Sequence, residues 1–354
     1  MIILTPVLLG VAVWWFVVRP RSQRRKHVPV WPGPVVPPHA ARRRAVIVGP
    51  PVAQAVIELI GVTKGYGRRL ALDGLDLAVP SGGVFGLLGE NGAGKTTALR
   101  CMLGLVRPTA GVCRVLGADS GRDLHRVIGR VGALIETPGL TGAMSGRRNL
   151  ALLARIDRIG PAGVDRALLA AGLADRADDP VATYSLGMRQ RLGIAAALLR
   201  DPELVVLDEP SNGLDPAGIA GIRQLLLGLA AEGRTVIVSS HLLDEVEKTC
   251  DRLAVIDAGR CVASGPIGDV LATAGVGTLV VGVADLQAAR DALAELGIDA
   301  SIVEGKLRVT HDPTDGARVT EILAAKGLYV NEIRHERPTL EAVFFGLTSP
   351  GVDR

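Results

Sequence analysis

Hydrophobic and polar positions divide the chain into blocks of different rhythm. Val84-Phe85-Gly86-Leu87-Leu88, Leu204-Val205-Val206-Leu207 and, after Thr235, Val236-Ile237-Val238 are apolar without alternation. Short apolar runs between turn residues read as strands buried on both faces. Val56-Ile57-Glu58-Leu59 reads as a further strand. Leu72, Leu75, Leu77 and Val79 suggest another, with irregular alternation, and 111–116 and 131–135 read as short strands. Residues 145–200 are helix-rich, with periodic Leu, Ala and Ile; Ser185 is placed as an N-cap for the run that follows it. Later the rhythm changes. Thr278–Val283 reads as a strand, Asp285–Leu296 as a helix, Ala300–Val303 and Leu307–Thr310 as strands, Gly316–Lys326 as a helix and Tyr329–Ile333 as a strand. That β-α-β-β-α-β order is ferredoxin-like.

Between the first apolar strand and a helix opening at Thr97 lies Gly89-Glu90-Asn91-Gly92-Ala93-Gly94-Lys95-Thr96. The spacing G-x-x-x-x-G-K-[ST], in strand–loop–helix context, is that of a phosphate-binding loop. Glycines let successive N–H groups face phosphate oxygens, and the helix N-terminus adds its positive dipole end. In such a loop Lys95 reaches the β- and γ-phosphates, and the Thr96 hydroxyl sits on Mg²⁺.

Two acids, Asp208 and Glu209, end the strand Leu204–Leu207. Ligands of open parallel sheets bind beyond the strand C-termini. Asp208 suits Mg²⁺, directly or through a water, and Glu209 suits polarising an attacking water. The strand 235–240 ends at His241, where a γ-phosphate would lie. Tyr66, in the glycine turn Gly65-Tyr66-Gly67 about twenty residues before the loop, offers a ring face to adenine. The helix start at Ser185, carrying Ser and Gly, is a second anion site.

Charge is spread unevenly. The formal net charge is +4, yet the first 57 residues hold eight Lys/Arg and no acid. The remaining 32 basic and 36 acidic residues leave the body at −4, which argues against a nucleic-acid partner. Met1–Val18 is almost wholly apolar, and its cations follow it. It reads either as a single membrane anchor with the rest of the chain on the cytoplasmic side, or as a misassigned start. Residues 19–55 form a basic, proline-rich linker. The four cysteines lack metal or redox spacing, which predicts reduced, mostly buried thiols.

Taken in order, Gly89–Thr96, Ser185–Met188, Leu204–Glu209, Asn212–Asp215 and His241 resemble the nucleotide-binding subunit of an ABC transporter, over about residues 56–270. The resemblance implies an α/β P-loop NTPase core with a helical subdomain at about 140–200. A smaller α+β domain follows at 276–345, as a regulatory or dimer-stabilising appendix. It implies a head-to-tail homodimer binding ATP and Mg²⁺. There Gly89, Glu90, Asn91, Gly92, Ala93, Gly94, Lys95, Thr96 and Thr97 of one copy face Ser185, Leu186 and Gly187 of the other. Glu209 becomes the general base, His241 the γ-phosphate sensor, Asp215 a cross-dimer contact and Tyr66 the adenine platform. Metal ligands are Thr96, Asp208 and Glu136, the last in place of the family's glutamine. The usual Leu-Ser-Gly-Gly-Gln is here Tyr184-Ser185-Leu186-Gly187-Met188. Leu-Ile-Glu-Thr-Pro and Tyr-Ser-Leu-Gly-Met-Arg-Gln are similar to exporters of bacitracin-type and lantibiotic-type antibiotics. The implied partner is a separate multi-helix permease, with this chain at the cytoplasmic face of the membrane. The rival expectation is a soluble ABC-type ATPase of translation or DNA repair.

Overall fold

A computed structural model of the chain describes residues 46–47, 55–136, 138–273, 277–309, 316–336 and 339–348. The expected anchor at 1–18 and most of the linker lie outside the described residues. No helix among the described residues is long and apolar enough to cross a membrane. The chain divides into two units between Pro266 and Ile267.

The first unit holds two sheets. One has the order β1-β11-β10-β4-β9-β8-β7, with β1 Val46–Ile47, β4 Gly83–Leu88, β7 Val131–Leu134, β8 Leu204–Leu207, β9 Thr235–Ser240, β10 Arg252–Asp257 and β11 Arg260–Pro266. Among the described residues, neighbours from β10 to β7 run parallel, β11 is antiparallel to β10, and β1 runs parallel to β11. Every residue of β8 and β9 is buried, as their unbroken apolar runs require when helices cover both faces. Because β4, β9 and β8 are adjacent, their C-terminal ends deliver the loop after Leu88, the acids after Leu207 and His241 to one edge.

The second sheet has the order β3-β2-β5-β6, from β2 Ala55–Tyr66, β3 Arg69–Pro80, β5 Ala110–Val115 and β6 Ala118–Asp119. Strand β2 is far longer than 56–59. It runs to Tyr66, so the turn is Gly67-Arg68 rather than one centred on Tyr66. Register shifts between Leu59 and Val62 and between Val62 and Lys64 insert extra residues. Such bulges break the period-2 signal while the ladder continues. The two sheets and helix α1 (Lys95–Met102) share one core, including Leu59, Leu72, Leu87, Leu99, Met102, Val206 and Ile237.

Helices α2 (Gly146–Ile156), α3 (Pro161–Ala170) and α4 (Leu186–Leu198) occupy the expected helical segment. Helices α5 (Pro216–Ala231) and α6 (Leu243–Thr249) follow β8 and β9. Side-chain oxygens of Ser145, Ser185 and Asp215 cap α2, α4 and α5, each satisfying a backbone donor that the first turn leaves free.

The second unit comprises α7 (Ile267–Ala272), β12 (Thr278–Val283), α8 (Leu286–Ala294), β13 (Ala300–Val303), β14 (Lys306–Val309), α9 (Gly316–Ala325), β15 (Val330–Glu336) and α10 (Leu340–Thr348). Its antiparallel sheet has the order β13-β14-β12-β15. Leu279, Val281, Leu293, Leu307 and Leu323 lie in its separate core. Helix α7 packs on α10, so residues 267–270 fall in this unit and not in the ATPase unit where the sequence placed them.

Candidate nucleotide site

Chain geometry around the loop is set by close packing. Gly94 has φ 116°, and a Cβ there would stand 2.6 Å from the carbonyl oxygen of Ala71. A Cβ on Gly89 would collide with the carbonyl of Ile256. Only glycine fits both places. Gly94 is also the N-cap of α1 and brings no side-chain acceptor. The first-turn N–H groups of α1 thus stay available to an anion.

Lys95 is buried at the head of α1. Its Nζ donates to the carbonyls of Gly89 at 2.6 Å and Glu90 at 3.2 Å. It also lies 3.2 Å from Oε1 of Glu209. Oε2 of Glu209 meets Nδ1 of His241 at 2.8 Å. A chain of close polar contacts therefore joins the loop, the acid after β8 and the histidine after β9. The Lys95 contact is poorly directed, so Glu209 Oε1 is buried near a cation yet has no hydrogen bond. An acceptor in that state fits a donor arriving with the ligand, such as a water.

Ser239 orders the two acids. Its hydroxyl donates to Asp208 Oδ1 at 2.6 Å and accepts the Glu209 N–H at 2.9 Å. Asp208 and Ser239 are both buried. Glu209 has φ 48°, in the left-handed region where a non-glycine residue is strained, and the Ser239 bond holds it there. Ser239 is a functional residue that the sequence pattern does not single out, because it shares its buried strand with the polar Thr235 and Ser240.

Other predicted residues separate into distinct settings. Tyr66 is 47% exposed, with the Lys64 ammonium 5.1 Å from its ring centre. Thr96 and Thr97 are half-buried beside the loop. Glu136 is 66% exposed and pairs through Oε1 with Arg100 of α1, a guanidinium that competes with a metal for its carboxylate. Ser185 caps α4, its Oγ accepting from Met188 N–H at 3.2 Å. The next residue, Leu186, is 44% exposed. Tyr184 departs from the usual leucine by burying its ring and donating to the Arg176 carbonyl. Asp215 is exposed and accepts from Gly218 N–H at 3.0 Å. Its turn touches the α4 start: a Cβ on Gly187 would be 3.7 Å from Gly218 Cα. Two clusters result, one around Lys95 and one around Ser185 and Asp215. Among the described residues no hydrogen bond or ion pair joins them. The four cysteines are free thiols, three of them buried. Burial pushes Cys101 up to about 11 and Cys113, Cys250 and Cys261 up to about 12.

A phosphate loop at the C-terminal edge of a parallel sheet, facing an acid and a histidine on the next strands, defines a P-loop ATPase. Residues 72–212 match the family model described as ABC transporter. The chain is 44% identical over 213 residues to the bacitracin transport ATP-binding protein BcrA of Enterococcus faecalis, covering 60% of this chain and 69% of that one. It is 38% identical over 312 residues to the daunorubicin resistance ATP-binding protein DrrA3 of Streptomyces coeruleorubidus, covering 86% and 98%. The structure of cbiO1 from Clostridium perfringens, part of the ABC transporter complex cbiONQ, is 27% identical with a TM-score of 0.55, covering 62% of this chain and 94% of that one. The chain belongs to the ABC transporter family, as one of its ATP-binding ATPases.

Proposed function

We propose that two copies of this chain close on two ATP molecules and drive export of a drug, peptide antibiotic or lipid-like substrate through a separate multi-helix permease. The observation that carries the dimer is the exposed start of α4. Ser185 and Leu186 face outward, with no link to the Lys95 cluster of their own subunit. A serine-capped helix start suits the triphosphate of a second copy, and Asp215 beside it suits the contact between copies. The cargo class rests on the names of the relatives. The likeness to the daunorubicin resistance protein covers both units, whereas the likeness to the bacitracin protein covers 213 residues.

In this reading the loop N–H groups and Lys95 hold the phosphates, and Tyr66 takes the base. Glu209 Oε1, buried and lacking a hydrogen bond, accepts the proton of the attacking water. His241 holds Glu209 and meets the γ-phosphate. Thr96 and Asp208 are the hard oxygen donors that suit Mg²⁺, with Glu136 joining in competition with Arg100. Bound there, Mg²⁺ would neutralise charge developing on the phosphates. The chain would then sit at the cytoplasmic face of the membrane, on its permease.

The test is Glu209→Gln. It should bind ATP and form a dimer on size-exclusion chromatography, while phosphate release falls by about 10²-fold or more. Near-normal turnover would overturn the base assignment. Co-purification of the wild type with ribosomes or DNA instead of a multi-helix membrane protein would favour the soluble translation or repair reading.

A further inference from the structure

Arg69 opens β3 directly opposite Tyr66, the last residue of β2, so the two form the closing pair of the hairpin. Tyr66 is the base platform of the reading above, and the hairpin thus carries a cation to the same place. The Arg69 guanidinium reaches the tip of the phosphate loop: a Cβ built on Gly92 would lie 3.2 Å from its Nη2. Only the missing side chain of Gly92 leaves that approach open. Arg69 is exposed. The acids of the two strands have other partners: Asp73 meets Arg260 at 3.0 Å, Asp76 accepts the Gly61 N–H at 2.7 Å, and Glu58 meets Arg114 at 3.5 Å. Lys64, another cation of the hairpin, donates to the Arg107 carbonyl at 2.9 Å and lies over the Tyr66 ring. Arg69 is thus a guanidinium that starts from the strand pair with Tyr66 and reaches the loop at Gly92.

We propose that Arg69 is a further nucleotide-binding residue, whose guanidinium contacts the phosphate nearest the ribose. This rests on the nucleotide reading. The geometry separates its role from that of Lys95. Lys95 is anchored on Gly89 and Glu90 and faces Glu209, the end where hydrolysis occurs. Arg69 lies over Gly92 on the Tyr66 side. A planar guanidinium with several donors suits a phosphate there. The phosphate nearest the ribose is present in ATP and ADP alike, so the contact binds substrate and product equally. Uniform binding of that kind lowers KM without raising kcat.

The experiment is a titration of the full chain with ATP and with ADP, in the wild type, Arg69→Ala, Arg69→Lys and Arg68→Ala. Melting curves confirm that each variant is folded. Arg69→Ala should weaken both nucleotides by about three- to tenfold, the range for an exposed charge-assisted contact. It should raise KM for ATP by a similar factor and leave kcat at saturation unchanged. Arg69→Lys should restore part of the loss, and raising the salt should shrink the difference. Arg68 precedes it in the turn and carries the same charge, and Arg68→Ala should leave both affinities unchanged. Equal losses in the Arg68 and Arg69 variants would reduce the effect to general charge and overturn the assignment. Loss of ATP affinity with ADP untouched, or a fall in kcat alone, would overturn it too. A wild type that binds neither nucleotide would overturn the nucleotide reading and this assignment together.

Discussion

Removing one hydroxyl tests how the catalytic edge is held. Ser239→Ala deletes the donor to Asp208 Oδ1 and the acceptor of the Glu209 N–H, bonds of 2.6 and 2.9 Å in a fully buried site. A hydrogen bond to a charged group contributes about 1.5–3 kcal/mol, and a stranded buried N–H costs about 1–3 kcal/mol. The two losses overlap, because the strand end relaxes once for both; about 3 kcal/mol is the central expectation. At about 2–4 °C per kcal/mol for a unit of this size, Tm should fall by about 6–12 °C. Activity should fall further than stability accounts for. Glu209 sits at φ 48°, and the lost bond is what holds its backbone there. A displacement of about 1 Å in a reacting group can cost 10²-fold in rate. Scanning calorimetry and phosphate release at saturating ATP measure both effects. Ser240→Ala is the comparison: that hydroxyl accepts only the Leu242 N–H, at 3.0 Å, so its loss should be smaller. A Ser239→Ala protein melting within about 1 °C of the wild type, with turnover within about twofold, would refute the reasoning.

Two other outcomes follow from the packing. Gly94→Ala would place a methyl 2.6 Å from the Ala71 carbonyl at φ 116°. Backbone strain of about 1–3 kcal/mol should fall on the phosphate loop, and calorimetric titration should show ATP affinity reduced by more than about tenfold. The buried thiols should resist alkylation at pH 8 until the chain is unfolded, which mass spectrometry after a timed iodoacetamide pulse can read. Their folded values, about 11 and about 12, lie above the ordinary 9.0. Their stabilising contribution is therefore complete below pH 9. It is lost as pH rises from 9 through 11–12, by up to about 1.4 kcal/mol per pH unit for each thiol. Alkaline denaturation that starts no earlier in the wild type than in a Cys113→Ala, Cys250→Ala double variant would contradict this.

Much of the site was legible along the chain because its parts are local devices. The loop spacing, the cap at Ser185, and the apolar strands ending in Asp208, Glu209 and His241 each involve few neighbouring residues. The βαββαβ succession of the second unit was legible for the same reason. The long strand β2 was not, because its bulges scramble the alternation that marks a strand. Nor was the allegiance of α7, which is decided by α10, some seventy residues later in the chain.

By itself, then, the sequence determined the apolar buried strands, the helix-rich segment, and which residues are chemically able to bind a triphosphate. Tertiary structure alone decided what those residues face. Parallel pairing of β4, β9 and β8 put Lys95, Glu209 and His241 in one line, and put Ser239 beneath the acids. It also turned Glu136 to Arg100 and brought Arg69 over Gly92. The reason is physical: backbone preference and hydrophobic period act over a few residues, whereas strand order and side-chain contact arise from pairings between segments far apart in the chain.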